Sequence, residues 1–526
     1  MVVYGIDLGT TYSCIAKIKA ERGIIERPDV IIRNRKDSFP SVVFFDPKTG
    51  TPLVGDGAKE RLRVPRFAGQ TVAFFKTSIG KEEYCKDHIL LNDKVRMVSP
   101  VEGSACILHY LYRLAEIEER GLGHSPTNMA VITIPAGFTN KQRMCTKIAA
   151  EKAGLNVLAL IHEPTAAAIS YDIGPNETIL VFDLGGGTLD VSIVTKQSGT
   201  YKVLASASDY DVFKDYIGGK KWDEALINLA IDRRNDSKEG LSKWNRDKEN
   251  RAQEGQLRMA AEECKIQLSD SNSYGFVFPD MESVTIYRST FERYTKKLVK
   301  DCVKVVESAI SQLADDIKIN RCVLAGGASN MPMIKVALQR ILAERVSNSR
   351  NEDEWLCVTR PSRAIAEGAA LYARQIALGE ANDSGIVIEE KSSHSYGTSL
   401  KGERVGLLIK STDPMIFEGE ETYYPIESGQ ESIPVDVFEC DRDDDDIPIG
   451  EATKIMEKYY TFPKEIKVAT DTAVKFKVKR DKNGIIKIRV ACEGGEPEEY
   501  EVSTIISSKI EDQITNSIEL MDKQIK

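Results

Sequence analysis

The sequence predicts an α/β domain built from two similar lobes, followed by an all-β module and a short final helix. Three observations lead to this prediction. Apolar strand-like runs alternate with helix-like segments as far as Leu378, a hairpin-like motif occurs twice in that part, and short alternating runs replace the helices after about residue 380. The first pattern is typical of α/β layers, and the repeated motif indicates an internal duplication.

The first part of the chain, taken in order, alternates strands and helices. An apolar run at residues 129–134 precedes a helical stretch over 140–153, and a second run at 178–182 precedes glycine-rich turns. Further helix-like segments cover residues 222–231, 250–268 and 290–313. The 526 residues are enough for several domains.

The later part predicts strands joined by turns. The alternating runs lie at residues 405–409, 433–438, 466–468, 474–478 and 485–490. Asn483-Gly484 predicts a two-residue hairpin with positive φ. Ser508 as a cap, Glu511 three residues on and apolar residues at helical spacing predict a helix over 508–526. The acidic run 441–446 lacks the spaced ligands of a calcium loop, and we interpret it as a solvated turn.

Composition excludes several classes of protein. A net charge of −9 leaves no basic excess to hold a phosphate backbone, so we expect no nucleic-acid partner. No run approaches the roughly 18 apolar residues of a membrane span, and we expect no membrane partner. The ten cysteines are scattered without metal-ligand spacing, which favours reduced thiols in the cytoplasm.

The repeated motif carries the predicted chemistry. Residues 6–11 read Ile-Asp-Leu-Gly-Thr-Thr, and residues 182–190 read Phe-Asp-Leu-Gly-Gly-Gly-Thr-Leu-Asp. Glycines let backbone N–H groups approach an anion, threonines add hydroxyl donors, and Asp7 and Asp183 offer hard oxygen ligands for Mg²⁺. One such turn alone would be an ordinary tight hairpin, but two facing copies would hold one polyphosphate between two lobes.

Two further glycine turns are less specific. Residues 323–332 contain the end of a strand-like run and the glycine turn that follows it. The backbone of this turn could pass close to a sugar or adenine ring or could form a plain strand-to-helix turn. Gly218-Gly219-Lys220 lacks the upstream glycine and the following Ser or Thr of a P-loop.

Four segments resemble one known family. Residues 6–14, 131–138 and 162–168, and the turn that ends Thr188-Leu189-Asp190, are similar to motifs of the seventy-kilodalton heat-shock chaperones of the DnaK type. The likeness covers roughly residues 1–378 and continues more weakly through the β module, where residues 481–485 resemble the family's late hairpin.

The resemblance implies an actin-like, duplicated ATPase domain coupled to a peptide-binding β-sandwich. It places the nucleotide-binding domain at 1–379, an interdomain linker at 380–395, the substrate-binding sandwich at 396–507 and a short helix at 508–526. The cofactors would be ATP or ADP and Mg²⁺. Slow hydrolysis would regulate the binding of extended hydrophobic segments of unfolded polypeptides, with a J-domain cochaperone and a nucleotide exchange factor as further partners.

The resemblance also assigns roles by motif. Asp7 and Asp183 would organise Mg²⁺, Lys76 would position the attacking water, and Glu163 would lie near the water shell of the metal. The catalytic residues would be Lys76, Glu163, Asp183 and Thr188. The phosphate contacts would be Thr10, Thr11, Tyr12, Gly185, Gly186, Gly187 and Thr188. The adenosine contacts would be Glu262, Lys265, Ser269, Gly326, Gly327 and Asn330.

The peptide groove would use Tyr423, Ile433 and Val435, although core packing of a sandwich explains these three residues equally well. The linker strip at 385–390 would either dock on the ATPase lobe or form an ordinary linker.

Some features depart from the family pattern. Asn330 stands where the family usually has arginine, which removes a cation that could stack on adenine. Ala159 stands where many members have an arginine that helps dock J-domain partners, which weakens the expectation of a standard partner. The linker lacks the family's leucine run. No long helical lid follows residue 508, so we expect fast peptide exchange.

Three other functions stay open from the sequence. They are a small-molecule kinase of sugar type on the same scaffold, a cytomotive filament protein, and an ATP-binding holdase or exchange factor with little hydrolysis.

Overall fold

The computed structural model divides the chain into two compact units, each described by itself. The first contains residues 1–135, 148–388 and 508–526, and the second contains 136–147 and 389–507. The described residues are 1–23, 26–80, 88–236, 242–247, 250–343, 355–357, 363–379, 386–389, 392, 394–444, 446–502 and 507–525. Residues 380–385, 390, 391 and 393 of the predicted linker therefore lie outside them.

The first unit holds strands β1 to β19. Their bounds are Val2–Asp7, Tyr12–Lys19, Asp29–Val30, Phe39–Pro40, Val42–Phe45, Pro52–Val54, Thr71–Ala73, His88–Leu91, Lys94–Met97, Pro126–Ile134, Asn156–His162, Thr178–Leu184, Leu189–Gln197, Thr200–Ser208, Ser273–Val277, Ser283–Tyr287, Arg321–Ala325, Leu356–Cys357 and Val387–Glu389. Glu389 itself belongs to the second unit.

Helices α1 to α14 accompany these strands. Their bounds are Asp56–Arg61, Pro65–Ala68, Phe75–Ser78, Pro100–Gly121, Asn140–Lys152, Glu163–Ser170, Asp209–Phe213, Gly219–Asn235, Arg251–Asp270, Arg288–Tyr294, Lys296–Ile310, Pro332–Leu342, Ala364–Leu378 and Ser508–Ile525. The first part of α5 belongs to the second unit. A 3₁₀ helix covers Gly327–Asn330. No helix among the described residues has the length and hydropathy of a membrane span.

The two main sheets of the first unit share one topology. One has the order β11-β10-β1-β2-β3 with β4 beside β2, and the other has the order β18-β17-β12-β13-β14-β19. In each, an antiparallel hairpin, β1–β2 or β12–β13, is followed outward by two parallel strands. The duplication that the repeated motif predicts is therefore present in the sheets.

Small residues bring the two sheets' helices together at the base of the cleft between them. Helix α6 packs against α13, and a Cβ at Gly368 of α13 would lie 1.7 Å from the carbonyl oxygen of Ala166 in α6. A Cβ at Gly5 of β1 would lie 2.1 Å from the backbone nitrogen of Ala370. Backbone therefore packs on backbone at both positions, which fixes the separation of the sheets.

Besides the first part of α5, the second unit holds a β-sandwich with strands β20 to β30. Their bounds are Ser395–Leu400, Arg404–Ile409, Phe417–Tyr423, Ser432–Pro434, Val437–Cys440, Ile447–Pro448, Thr453–Met456, Tyr459–Thr461, Val474–Arg480, Ile486–Cys492 and Glu498–Glu501. The sheets run β25-β21-β20-β24-β26 and β22-β28-β29-β30, with β23 paired to β27. Buried side chains of both main sheets share one core.

Several predicted elements differ from the structure. The predicted strand 433–438 is divided, because its first residues pair with β27 as β23 whereas the residues from Val437 onward pair with β20 and β26 as β24. Residues 466–468 form no strand, because the N–H of Ile466 closes a turn on the carbonyl of Pro463. The helix predicted over 290–313 is broken at Thr295 into α10 and α11.

The predicted two-residue hairpin at Asn483-Gly484 is wrong in its length. Three residues separate Asp481 from Ile485, and positive φ occurs at Gly484 alone. The carboxylate of Asp481 accepts hydrogen bonds from the N–H groups of Asn483, at 2.8 Å, and Ile485, at 2.9 Å. This side chain stabilises the longer turn.

The predicted final helix is present as α14, and its apolar face packs within the first unit. Ile510, Ile514 and Met521 are buried. The hydroxyl of Ser517 donates to Glu102 of α4 at 2.7 Å.

Candidate active site

The two repeated turns face each other at contact distance. The first turn, residues 8–11, joins β1 to β2, and the second turn, residues 185–188, joins β12 to β13. A Cβ at Gly186 would lie 1.8 Å from Oγ1 of Thr11, and a Cβ at Gly187 would lie 2.7 Å from Cγ2 of Thr10. Only glycine at these positions lets the two turns approach this closely.

Thr11 marks the place where an anion fits. Its Oγ1 is buried and has no hydrogen-bond partner among the described residues. A buried hydroxyl without a partner costs free energy of about 1–3 kcal/mol, which a phosphate oxygen would remove. The turns therefore fit a phosphate.

A third turn, which the sequence did not predict as part of the site, supports the second turn. The N–H of Gly219 donates to the carbonyl of Gly185 at 2.9 Å, and the N–H of Lys220 donates to that of Gly186 at 3.0 Å. A Cβ at Gly218 would lie 2.4 Å from the carbonyl carbon of Gly187. Gly218-Gly219 does not belong to a P-loop motif, but its two glycines let the backbone of this third turn lie directly against the backbone of the second turn.

Three carboxylates and one buried lysine lie close together beside the turns; Glu163 and Asp183 are buried, and Asp7 is half-buried. Asp7 ends β1, Asp183 lies in β12, Glu163 begins α6, and Lys76 lies in α3. Lys76 and Glu163 form a buried ion pair. Burial, and then the carboxylate of Glu163, raise the pKa of Asp7 to about 7. Burial, and then the carboxylates of Glu163 and Asp7, raise the pKa of Asp183 well above its ordinary value.

Lys76 stays protonated in this setting. Burial alone would lower the pKa of its ammonium, but Glu163, Asp7 and Asp183 outweigh burial and raise it. Because burial and neighbouring carboxylates disfavour the ionised forms of Asp7 and Asp183, a divalent cation bound beside them would stabilise those ionised forms. Among the described residues, no three His, Cys, Asp or Glu side chains are arranged to hold a metal by themselves. A Mg²⁺ would therefore also need oxygens of phosphate or water.

Asp190 is a buried acid close to the site, although it does not line the cavity, and the sequence analysis assigned it no role. It pairs with Asp183 in the β12–β13 register, where the first hairpin has Cys14 opposite Asp7. Burial, and then Asp209, raise the pKa of Asp190 well above its ordinary value. Its hairpin register opposite Asp183 is a signal that could have identified it.

The turns and acids line one cavity of about 770 Å³ in the first unit. This volume is within the usual range for a small-molecule site. The predicted residues that line it are Asp7, Thr10, Thr11, Tyr12, Lys76, Glu163, Asp183, Gly185, Gly186, Thr188, Glu262, Lys265, Gly326 and Gly327.

The structure does not bring Gly187, Ser269 and Asn330 to the wall of this cavity. Gly187 packs against Thr10. The hydroxyl of Ser269 donates to the backbone carbonyl of Lys265 in its own helix. The side-chain amide of Asn330 donates to the backbone carbonyl of Gly327.

Lys59 joins the two sides of the cavity and was not predicted. Its Nζ donates to the hydroxyl of Tyr12 at 2.6 Å and to the carboxylate of Glu262 in α9 at 2.5 Å. Lys265, one turn along α9, donates to Asp223 at 2.6 Å. The predicted helical face is therefore occupied by ion pairs, and one of them crosses the cleft.

The residues predicted for a peptide groove lie in the second unit with unequal exposure. Tyr423 packs edge-on against Phe476 with ring centroids 4.9 Å apart. Ile433 is buried, and Val435 has no exposed surface and lies in the sandwich core. Core packing, the second role that the sequence left open, thus fits Val435. Ile416, Tyr424 and Ile426, which were not predicted, are more than half exposed.

Ala159 of β11, the other noted departure, is buried in the core of the first unit.

A two-lobed α/β fold with facing glycine turns, paired aspartates and a buried lysine defines a nucleotide-hydrolysing protein. The chain matches the sequence profile of the family described as "Hsp70 protein" over residues 3–526. It belongs to this family, whose members are ATP-dependent molecular chaperones and ATPases. The resemblance indicated by the sequence motifs is thereby confirmed, and the kinase and filament alternatives gain no support.

Relatives named "Chaperone protein DnaK" cover most of the chain. The protein of Mycoplasmopsis agalactiae is 30% identical over 93% of this chain and 76% of its own length. That of Metamycoplasma hominis is 34% identical over 77% and 64%, and that of Halobacterium salinarum is 31% identical over 84% and 66%. The chain thus spans about two thirds to three quarters of the length of these relatives.

Proposed function

We propose that the first unit binds ATP with Mg²⁺ between its two facing turns and hydrolyses it slowly. The observation that carries this proposal is the contact of the two turns at the buried hydroxyl of Thr11, for which the described part of the chain offers no hydrogen-bond partner. Backbone N–H groups of both turns, with Thr10, Thr11 and Thr188, hold the phosphates. Glu262, Lys265, Gly326 and Gly327 line the part of the cavity proposed for adenosine.

Hydrolysis here depends on position and charge. Phosphoryl transfer passes through a loose transition state, so a protein contributes mainly by orientation and electrostatic stabilisation. The ammonium of Lys76, fixed by Glu163, donates a hydrogen bond to the attacking water. Asp7 and Asp183 would hold Mg²⁺ through water, and the metal would neutralise phosphate charge.

We further propose that the nucleotide regulates peptide binding by the second unit. For the substrate-binding sandwich within that unit we propose the bounds that the sequence predicts, residues 396–507. An extended hydrophobic segment of an unfolded polypeptide would bind by main-chain hydrogen bonds and one side-chain pocket. A J-domain cochaperone, an exchange factor and a cytoplasmic location complete the proposal.

Single-turnover ATP hydrolysis, measured with and without an unfolded peptide, tests the enzymatic part. Lys76→Ala should abolish hydrolysis and retain ATP binding. Lys304→Ala, an exposed lysine of the same unit, is the matched control and should leave the rate unchanged. Unchanged turnover in Lys76→Ala would remove Lys76 from the mechanism.

Peptide affinity measured with Mg-ATP, with ADP and without nucleotide tests the regulation. We expect the affinity to differ between the nucleotide states. Equal affinities in all three conditions would show that the two activities are not coupled.

A further inference from the structure

The linker residues Val387–Glu389 form a strand of the second sheet of the first unit. Strand β19 lies beside β14 at the edge of that sheet. Ile386 and Ile388 pack against the apolar core, while Val387 between them is 43% exposed. Burial of only these two side chains contributes little apolar stabilisation to a segment at the edge of a sheet.

Gln375 supplies a second kind of contact to this segment. It lies in α13 and is 5% exposed. Its Nε2 donates to the carbonyl of Ile386 at 2.9 Å, and its Oε1 accepts from the N–H of the same residue. One side-chain amide thus binds both polar groups of one peptide residue, as a neighbouring strand would.

The burial of Gln375 makes this contact specific. A buried amide that loses its partners carries the full desolvation cost of its donor and its acceptor. If Ile386 left this position, both groups of Gln375 would lose the partners they have here. The amide therefore favours the docked segment whatever side chains the segment carries.

We propose that Gln375 is a positioning residue that holds the linker in the second sheet, and that the nucleotide's control of peptide binding depends on this contact. The second half of this inference rests on the proposed function. The sheet that receives the linker also carries Asp183 in β12 and Asp190 in β13. A linker held in that sheet is joined by hydrogen-bonded strands to the acids of the nucleotide site.

Two substitutions separate the parts of the contact. Gln375→Met has a similar length and removes both hydrogen bonds, whereas Gln375→Glu retains the acceptor and removes the donor. Gln312→Met is the matched control, because Gln312 makes the same pair of bonds to Ser206 of β14, at 2.8 and 3.4 Å. The control removes an amide–backbone contact to the strand that neighbours the linker, and none of the contacts to the linker itself.

Amide hydrogen exchange of the full chain with Mg-ATP measures the docking directly. We expect the segment 386–389 to exchange about tenfold faster in Gln375→Met, to an intermediate extent in Gln375→Glu, and at the wild-type rate in Gln312→Met. Gln375→Glu carries the test alone if Gln375→Met does not fold. Wild-type exchange of this segment in the folded Gln375 variants would overturn the proposal.

Peptide affinity with and without Mg-ATP measures the consequence. The ratio of the two affinities should fall toward one in Gln375→Met, while ATP affinity stays within about twofold of wild type. Faster linker exchange with an unchanged ratio would overturn the regulatory role. If the wild-type ratio is itself one, the proposed regulation and the regulatory role of Gln375 both fail, while the exchange experiment still decides whether Gln375 holds the linker.

Discussion

Gly186→Ala tests whether the two turns must touch. Gly186 lies in the second turn and faces Thr11 of the first. An added Cβ would lie 1.8 Å from Oγ1 of Thr11 and 2.6 Å from its Cβ. Rotation of the threonine side chain would move the hydroxyl away, but it would leave the Cβ in place, so the turns themselves must separate.

The size of the effect follows from these distances. Carbon atoms pack at about 3.5 Å or more, so relief of the 2.6 Å contact needs a separation of about 1 Å. A misplacement of about 1 Å can reduce a rate about 100-fold, because catalysis by positioning depends on near-attack geometry. We therefore expect single-turnover ATP hydrolysis to fall about 100-fold, with a loss of stability of about 1–3 kcal/mol.

Gly275→Ala is the matched control, because Gly275 lies in β15 outside the cavity lining and no atom lies within 4 Å of its added Cβ. We expect a change of about threefold at most in the rate. Both variants are compared by single-turnover kinetics with saturating Mg-ATP and by thermal unfolding. Equal rates in the two variants would refute the claim that contact between the turns sets the phosphate geometry.

Three further predictions concern the rim and the base of the cleft. Lys59→Met should release nucleotide about tenfold faster in stopped-flow displacement, because Glu262 loses its partner across the cleft. Burial alone would raise the pKa of Glu262, but Lys59 and Lys265 hold it below its ordinary value of 4.5. The stabilisation is therefore present above pH 4.5 and lost as the pH falls through the lower folded value, so wild-type release should accelerate in acid while Lys59→Met loses this dependence. Gly368→Ala should destabilise the first unit by about 3 kcal/mol in urea unfolding, whereas Gly275→Ala, with no atom within 4 Å of the added Cβ, should change it little.

The local parts of the site could be predicted from the sequence, because short motifs determine them. The turn after β1 and the turn after β12 need glycine and threonine at fixed offsets, and these residue types at this spacing predict both turns. The strand ends that carry Asp7 and Asp183 follow from the apolar runs before them.

The parts that depend on distant pairing could not be predicted in this way. Lys59 is one of many charged residues in a helical segment, and nothing near it in the sequence indicates Glu262, 203 residues away. Gln375 likewise has a polar side chain in an apolar helix, and its partner is a backbone group of Ile386. Val435 shows the reverse problem: alternation predicts that its side chain lies on one face of a strand, but not whether that face is a groove or a core.

The cleft combines a fixed base with a rim that can open. At the base, Gly368 and Gly5 bring backbone against backbone, so the sheets cannot separate there without breaking the core. At the rim, α9 meets the other lobe through the partly exposed Lys59–Glu262 ion pair and through its contacts with α2, where Gln256 donates to the carbonyl of Arg63 at 2.8 Å. A partly exposed ion pair breaks at far lower cost than a packed core, and nucleotide exchange should therefore proceed by opening at the rim while the base stays closed.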